Sequence, residues 1–185
     1  MKVVYHTATT LNGFLATEDD SLQWLFDVGG EEPDMDAFTA GVSVVVMGST
    51  TYEWLLREMD LLDPPEKWAK YYGTRPGIVF SSRELPAPAG VDIRVVDGPV
   101  PEILPEIRAA AGDGIVWVLG GGDLAGQFLD ADALDEIVLT MAPVFLSAGK
   151  PLLPREVLSD RLRLRETRQT GRFVEVHLDV VKRGA

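Results

Sequence analysis

The sequence predicts an α/β protein in three layers, α/β/α, on a mostly parallel mixed sheet that ends in an antiparallel hairpin. Three observations carry this. Short apolar runs alternate with segments of helical period up to Ala142, the pattern of a parallel sheet covered on both faces. Gly114-Ile-Val-Trp-Val-Leu-Gly-Gly-Gly-Asp-Leu124 passes from a buried strand through three glycines into a helix. Arg161–Arg165 and Phe173–Val181 alternate apolar and polar residues around the turn Gln169-Thr-Gly-Arg172, as a half-exposed antiparallel pair does.

Lys2–Thr9 alternates and is the first strand, followed by a tight turn at Asn12-Gly13, where both residues tolerate positive φ. Glu18–Glu32 is a long polar loop in which Trp24 serves as an anchor, and loops of that length are often functional. Pro33–Ala40 is a short helix with Pro33 near its first turn and with Met35 and Phe38 on one face. Asp34 and Asp36 either complement the dipole of that helix or include a catalytic carboxyl. Trp24 and Phe38 are assigned to the substrate side.

Val42–Met47 is the second strand. It runs into Gly48-Ser-Thr-Thr-Tyr-Glu, where Ser49 or Thr50 can cap a helix and Glu53 completes a capping box with Thr50. Leu61–Tyr72 is a loop with a partial helix, and Trp68, Tyr71 and Tyr72 are packing or interface residues. Gly77–Phe80 is the third strand. Ser81-Ser82-Arg83 after it offers two hydroxyls and a guanidinium that can grip a phosphate. Val91–Val96 is the fourth strand. Pro101–Ala111 is a helix with Ile103, Leu104 and Ile107 inward, Gly112 as its stop and Pro105 in its first turn. Leu134–Ala142 is a strand and Phe145–Leu153 a loop. Arginines share one solvated face of 161–165, and His177 is a plain sheet residue.

The 185 residues fit one domain, residues 1–185, with no internal repeat, low-complexity segment or linker. No apolar run approaches the roughly 20 residues of a membrane helix, and no signal peptide is visible at the N-terminus. Cysteine is absent, which excludes disulfides and thiolate chemistry and agrees with a cytoplasmic location. The net charge of −12 repels nucleic acid and acidic membranes. It also repels a phosphorylated cofactor, so helix N-termini and an arginine or two must hold one. With only His6 and His177, no histidine-rich metal site is available.

Gly120, Gly121 and Gly122 form the candidate phosphate cradle. Glycine lets a ligand approach the backbone, and the helix that follows presents free N–H groups and the positive end of its dipole. Gly120, Gly122 and Ala125 satisfy G-x-G-x-x-A. A dinucleotide fold of that type also needs an acid roughly 20 residues on, and Leu139-Thr-Met-Ala-Pro143 contains none. The motif also lies too late for a doubly wound sheet to follow it.

Four stretches in order resemble the dihydrofolate reductase-like family, and most closely the branch with the reductase domain of bacterial riboflavin biosynthesis, the RibD C-terminal domain. They are Thr10-Leu-Asn-Gly-Phe-Leu-Ala, Val45-Val-Met-Gly-Ser-Thr-Thr-Tyr-Glu, Gly120-Gly-Gly-Asp-Leu, and Leu134-Asp-Glu-Ile-Val-Leu-Thr-Met-Ala-Pro with Gly149-Lys-Pro-Leu. The resemblance spans nearly the whole chain. It implies NADPH and hydride transfer to a small pterin- or pyrimidine-like substrate, as in dihydrofolate reductase or 5-amino-6-(5-phosphoribosylamino)uracil reductase. By position it places Ala8 and Leu15 at the nicotinamide and Gly48, Ser49 and Thr50 at the phosphates. Ser81, Ser82 and Arg83 fall on the adenosine side, and Gly121, Gly122, Asp123 and Leu124 around the pyrophosphate. Asp34 or Asp36 falls nearest the family's proton-donating acid, and Thr140 where a threonine meets acid and substrate. Ser49 stands where the family has an arginine for the 2′-phosphate, and Arg83 is the cation left to replace it. No phosphoribosyl-binding lysine pattern is present. A homodimer through late strands is implied. The alternatives are a nucleotide-binding protein or a dimeric interaction protein of the same fold, without catalysis.

Overall fold

The structure is a computed structural model and describes residues 1–183. The strands are β1 (Lys2–Thr10), β2 (Phe14–Ala16), β3 (Val42–Gly48), β4 (Gly77–Phe80), β5 (Ile93–Val96), β6 (Ile115–Gly120), β7 (Glu136–Ala142), β8 (Lys150–Pro151), β9 (Leu162–Thr170) and β10 (Phe173–Val180). The helices are α1 (Gln23–Phe26), α2 (Asp36–Ala40), α3 (Ser49–Glu58), α4 (Glu66–Tyr72), α5 (Val100–Ala111) and α6 (Gly122–Asp130). Eight strands form one sheet in the order β5-β4-β3-β6-β1-β7-β10-β9. All pairs from β5 to β7 are parallel, and β10 and β9 continue the sheet antiparallel. β2 and β8 pair separately.

The continuous apolar runs follow from burial on both faces. In β3, Val44 and Val46 face a core with Ile107 of α5 and Phe128 of α6, while Val45 and Met47 face a second core with Tyr52 of α3 and Trp68 of α4. Fully burying each such side chain contributes roughly 1.5–3 kcal/mol. A third cluster joins Trp24 and Val28 of the long loop to Ala142 and Phe173. Arg172 at the hairpin turn donates to the carbonyl of Val28 (2.7 Å), so the hairpin ties that loop down.

Several local expectations change. α2 begins at Asp36, not Pro33, because the side chain of Asp34 accepts from the Asp36 N–H (2.8 Å) and starts the helix there. The long loop holds the single helical turn α1. The fourth strand is shorter, starting at Ile93. α5 starts at Val100, so Pro105 lies beyond the first turn, where it denies the carbonyl of Pro101 a partner. No side chain caps α3: Gly48 is its N-cap, Ser49 and Thr50 are already helical, and Glu53 pairs with Arg83 instead of closing a capping box. The arginines of 161–165 are not all free: Arg165 of β9 reaches Glu136 and Asp179, and Arg161, just before β9, bonds the carbonyl of Val181. His177 faces the same buried Glu136 at 3.4 Å. As the outer strand, β9 is exposed along most of its length.

Candidate functional site

The carboxyl ends of β1 and β6 open into a cleft of about 630 Å³, the position at which open α/β sheets place ligands. Its floor is His6, Thr7 and Ala8 of β1, Trp117 and Leu119 of β6, and Thr140 of β7. One wall is the start of α3, with Thr50, Thr51 and Trp54, and the start of α6 from Gly120 to Asp123. The long loop supplies Asp20, Leu22, Leu25, Phe26, Glu32, Pro33 and Met35, and the far side is Lys150, Pro151, Pro154 and Phe173. Asn12 fixes the turn after β1 to the distant 145–153 loop, its side-chain amide donating to Leu146 O (2.6 Å).

Two helices therefore begin at this cleft. Neither α3 nor α6 has a side-chain cap, so their first N–H groups remain available to an anion. The three glycines at the junction of β6 and α6 serve three purposes. Gly120 has φ +148°, which only glycine adopts readily. A Cβ on Gly121 would meet nothing within 4 Å. A Cβ on Gly122 would lie 2.3 Å from the carbonyl oxygen of Pro151 and 2.4 Å from that of Leu152. Gly122 thus serves packing against the 150–152 loop, and Gly121 is the residue whose missing side chain leaves the cleft open.

His6 is the titratable side chain in the floor. It is 6% exposed, and neither ring nitrogen has a partner among the described residues. Phe38 stands edge-on to the imidazole (4.7 Å, 72°) and Trp117 is 6.4 Å away. The indole N–H of Trp117 donates to the carbonyl of His6 (2.9 Å) and fixes that strand position. Burial pushes the imidazole down to about 4, helped by the charge of His177 and opposed by Glu136. The folded His6 therefore resists a proton that the unfolded chain accepts near 6.5. As pH falls from about 6.5 to about 4, the unfolded state gains that proton first and stability falls, by up to about 3 kcal/mol. His6→Phe should shrink the difference in unfolding midpoint between pH 7 and pH 4.5. An unchanged difference would assign the acid sensitivity to other groups.

Residues 1–176 match the model of the RibD C-terminal domain. The chain belongs to the RibD C-terminal domain family. It is 27% identical over 177 residues to the uncharacterized protein YwjB of Bacillus subtilis (strain 168), covering 95% of this chain and 96% of that one. Among solved structures, a protein assigned to riboflavin biosynthesis from Shewanella sp. PV-4 has TM-score 0.79 at 23% identity, over 98% of this chain and 100% of that one. Dihydrofolate reductase from Enterococcus faecalis, complexed with NADP(H), has TM-score 0.60 at 17% identity, over 98% and 96%. The sheet order and terminal hairpin are those of the dihydrofolate reductase-like fold.

Within this RibD-type fold the residues singled out in the sequence divide into four groups. Ala8, Leu15, Thr50, Gly120, Gly121, Gly122, Asp123 and Thr140 converge on the cleft. Gly48 and Ser49 stand behind Thr50 at the helix start, and the Leu124 side chain is buried in the core, leaving its N–H at the first turn of α6. Ser81, Ser82 and Arg83 lie outside the cleft lining. Ser81 stabilises its own turn by accepting from the Arg83 N–H (3.0 Å), and Arg83 pairs with Glu53 (3.0 Å).

Asp34, Asp36, Trp24 and Phe38 do not line the cleft. Asp34 and Asp36 are exposed, Asp34 just before α2 and Asp36 in its first turn. Trp24 is buried behind Phe173, and Phe38 supports His6 and Trp117 from behind. The carboxyls that do line the cleft are Asp20, Glu32 and Asp123. Asp123 accepts from Gln127 (3.0 Å) and pairs with Arg155, which together hold its carboxyl below the usual range. In register with Thr140 is a different acid, the buried Glu175 of β10. His6, Trp54, Trp117 and Phe173 gave no sequence signal, because each sits in an ordinary strand or helix pattern and acquires its position from packing.

Proposed function

We propose that this chain is an NADPH-dependent reductase that passes a hydride to a small flat substrate held against His6, Trp117 and Thr140. The observation that carries the reading is the pair of uncapped helix starts, α3 and α6, facing one apolar cleft beside Gly121. Membership of the RibD C-terminal domain family and the likeness to a dihydrofolate reductase complexed with NADP(H) support it. The bound nicotinamide supplies the hydride. The backbone N–H groups from Gly121 to Leu124 and at Ser49 and Thr50 hold the pyrophosphate. Ala8 and Leu15 border the nicotinamide through their backbones. The apolar loop residues Leu22, Leu25 and Phe26 exclude water from the reacting atoms. Thr140 presents a hydroxyl to the substrate from β7.

Arg83 supplies the charge for the 2′-phosphate that Ser49 lacks, with Ser81 and Ser82 beside the adenosine. In the structure its guanidinium is held by Glu53 of α3, so the two anions compete for one cation. Titration of NADPH and then NADH, followed by quenching of the tryptophans, should show NADPH bound more tightly. Arg83→Ala should bring NADPH to parity with NADH, a loss of about 10- to 100-fold for a charged hydrogen-bonded contact. Glu53→Gln should strengthen NADPH alone. Parity already in the unsubstituted protein would remove Arg83 from the site, and no binding of either nucleotide would remove the reading. Substrate-dependent oxidation of NADPH separates a reductase from a nucleotide-binding protein of the same fold.

A further inference from the structure

We propose that Lys150 is the cation that binds the pyrophosphate of the cofactor, and that Asp20 occupies it when the nucleotide is absent. The inference rests on the reductase reading above, which places the pyrophosphate at the start of α6, and adds the residue that answers its charge.

The first observation is charge balance. Lys150 is the only lysine or arginine among the described residues that line the cleft, and Asp20, Glu32 and Asp123 stand against it. A dinucleotide brings further negative charge into a space where acids already outnumber cations, in a chain of net charge −12. Backbone N–H groups at a helix start offer only partial charges. A lysine supplies a full one as a point charge on a flexible stem. Arg155, also beside α6, is already held by Asp123 (3.0 Å) and Asp130 (2.7 Å).

The second observation is position. The backbone of Lys150 is wedged between β2 and α6. A Cβ on Gly149, the residue before it, would collide with the carbonyl oxygen of Ala16. A Cβ on Gly122 would collide with that of Pro151, the residue after it. Lys150 itself pairs with Ala16. The root of the side chain is therefore fixed one residue from the contact with the α6 start, while the side chain is 48% exposed and free to turn.

The third observation is the present partner. Lys150 Nζ faces the Asp20 carboxylate at 3.5 Å, longer than an ordinary hydrogen bond. A solvent-exposed pair of this kind contributes little, and a charge-assisted bond to a phosphate is stronger. The pair is not what fixes Asp20. That residue sits at φ +64° in a turn closed by its own N–H to Thr17 O (3.1 Å) and by Ser21 N–H to Thr17 Oγ1 (2.9 Å). The lysine can therefore exchange the carboxylate for a phosphate without undoing the turn.

The test titrates the full chain with NADPH, NADH and ADP-ribose, which share the pyrophosphate, by tryptophan quenching for the first two and calorimetry for the third. Lys150→Met keeps the stem and removes the charge. It should weaken all three by the same factor, about 10-fold, whereas loss of Arg83 affects NADPH alone. Added salt should narrow the gap between the two proteins. Lys150→Arg, which keeps the charge, should recover most of the loss. Asp20→Asn tolerates the same positive φ and should tighten all three ligands about 2- to 5-fold by removing the competing carboxylate. A loss confined to NADPH would move Lys150 to the 2′-phosphate and overturn the assignment. Undiminished affinity in Lys150→Met would leave Lys150 no more than the partner of Asp20, while the reductase reading stands. If the unsubstituted protein binds none of the three, the reductase reading falls and this inference with it.

Discussion

Gly121→Ala is expected to leave the protein folded and to weaken NADPH binding by about 10- to 100-fold. The backbone there has φ −79° and ψ −178°, which alanine adopts without strain, and the added methyl meets no protein atom within 4 Å. Thermal unfolding should therefore stay within a degree or two of the unsubstituted protein. The methyl projects instead into the space between Gly120 and the start of α6, where the pyrophosphate would lie. Overfilling a close contact costs about 1–3 kcal/mol, which is the stated range of affinity. Nucleotide titration of the folded variant decides the matter. Undiminished binding would show that the phosphates lie elsewhere, and the glycine turn would lose its place in the proposed site.

Gly122→Ala should behave in the opposite way, with a large loss of stability. Its Cβ would sit 2.3 Å and 2.4 Å from two backbone carbonyl oxygens of Pro151 and Leu152. Those atoms cannot swing aside as a side-chain end can. The segment is pinned by the hydroxyl of Tyr5, which donates to Leu152 O (2.9 Å), and by Leu152 N–H, which donates to Gly13 O (2.9 Å). Relief requires shifting either α6 or the 150–152 loop. A cost of about 3 kcal/mol is expected, or a fall of roughly 6–12 °C in the unfolding temperature for a chain of this size. An unfolding temperature equal to that of Gly121→Ala would mean that the loop is free to move. It would then be a weak wall for the cleft.

The contrast between these neighbouring glycines shows where sequence reasoning stops. Three consecutive glycines mark a strand-to-helix turn, and the sequence locates it within a residue. It does not distinguish a glycine needed for φ, one needed for a ligand and one needed by a loop about thirty positions away. The same limit applies to the acids. Asp34 and Asp36 stand near the position of the family's proton donor, but α2 begins at Asp36, and Asp34 is used to start it. Trp24 and Phe38 have the aromatic character of substrate contacts, yet Phe173, His6 and Trp117 stand between them and the cleft.

By itself the sequence determined the layers, the strands of the main sheet to within a few residues, the glycine turn and the terminal hairpin, while the short pair β2 and β8 left no mark in it. Burial on both faces imposes continuous apolar runs, alternation marks a half-exposed strand, and turns demand particular residues, all of which are local constraints written along the chain. The tertiary structure alone decided that His6 lies unpartnered in the cleft floor, that Arg83 answers to Glu53, and that the 150–154 segment closes the far wall. Each of these joins residues far apart in sequence, and such meetings depend on strand order and packing, which leave no periodic trace in the residues themselves.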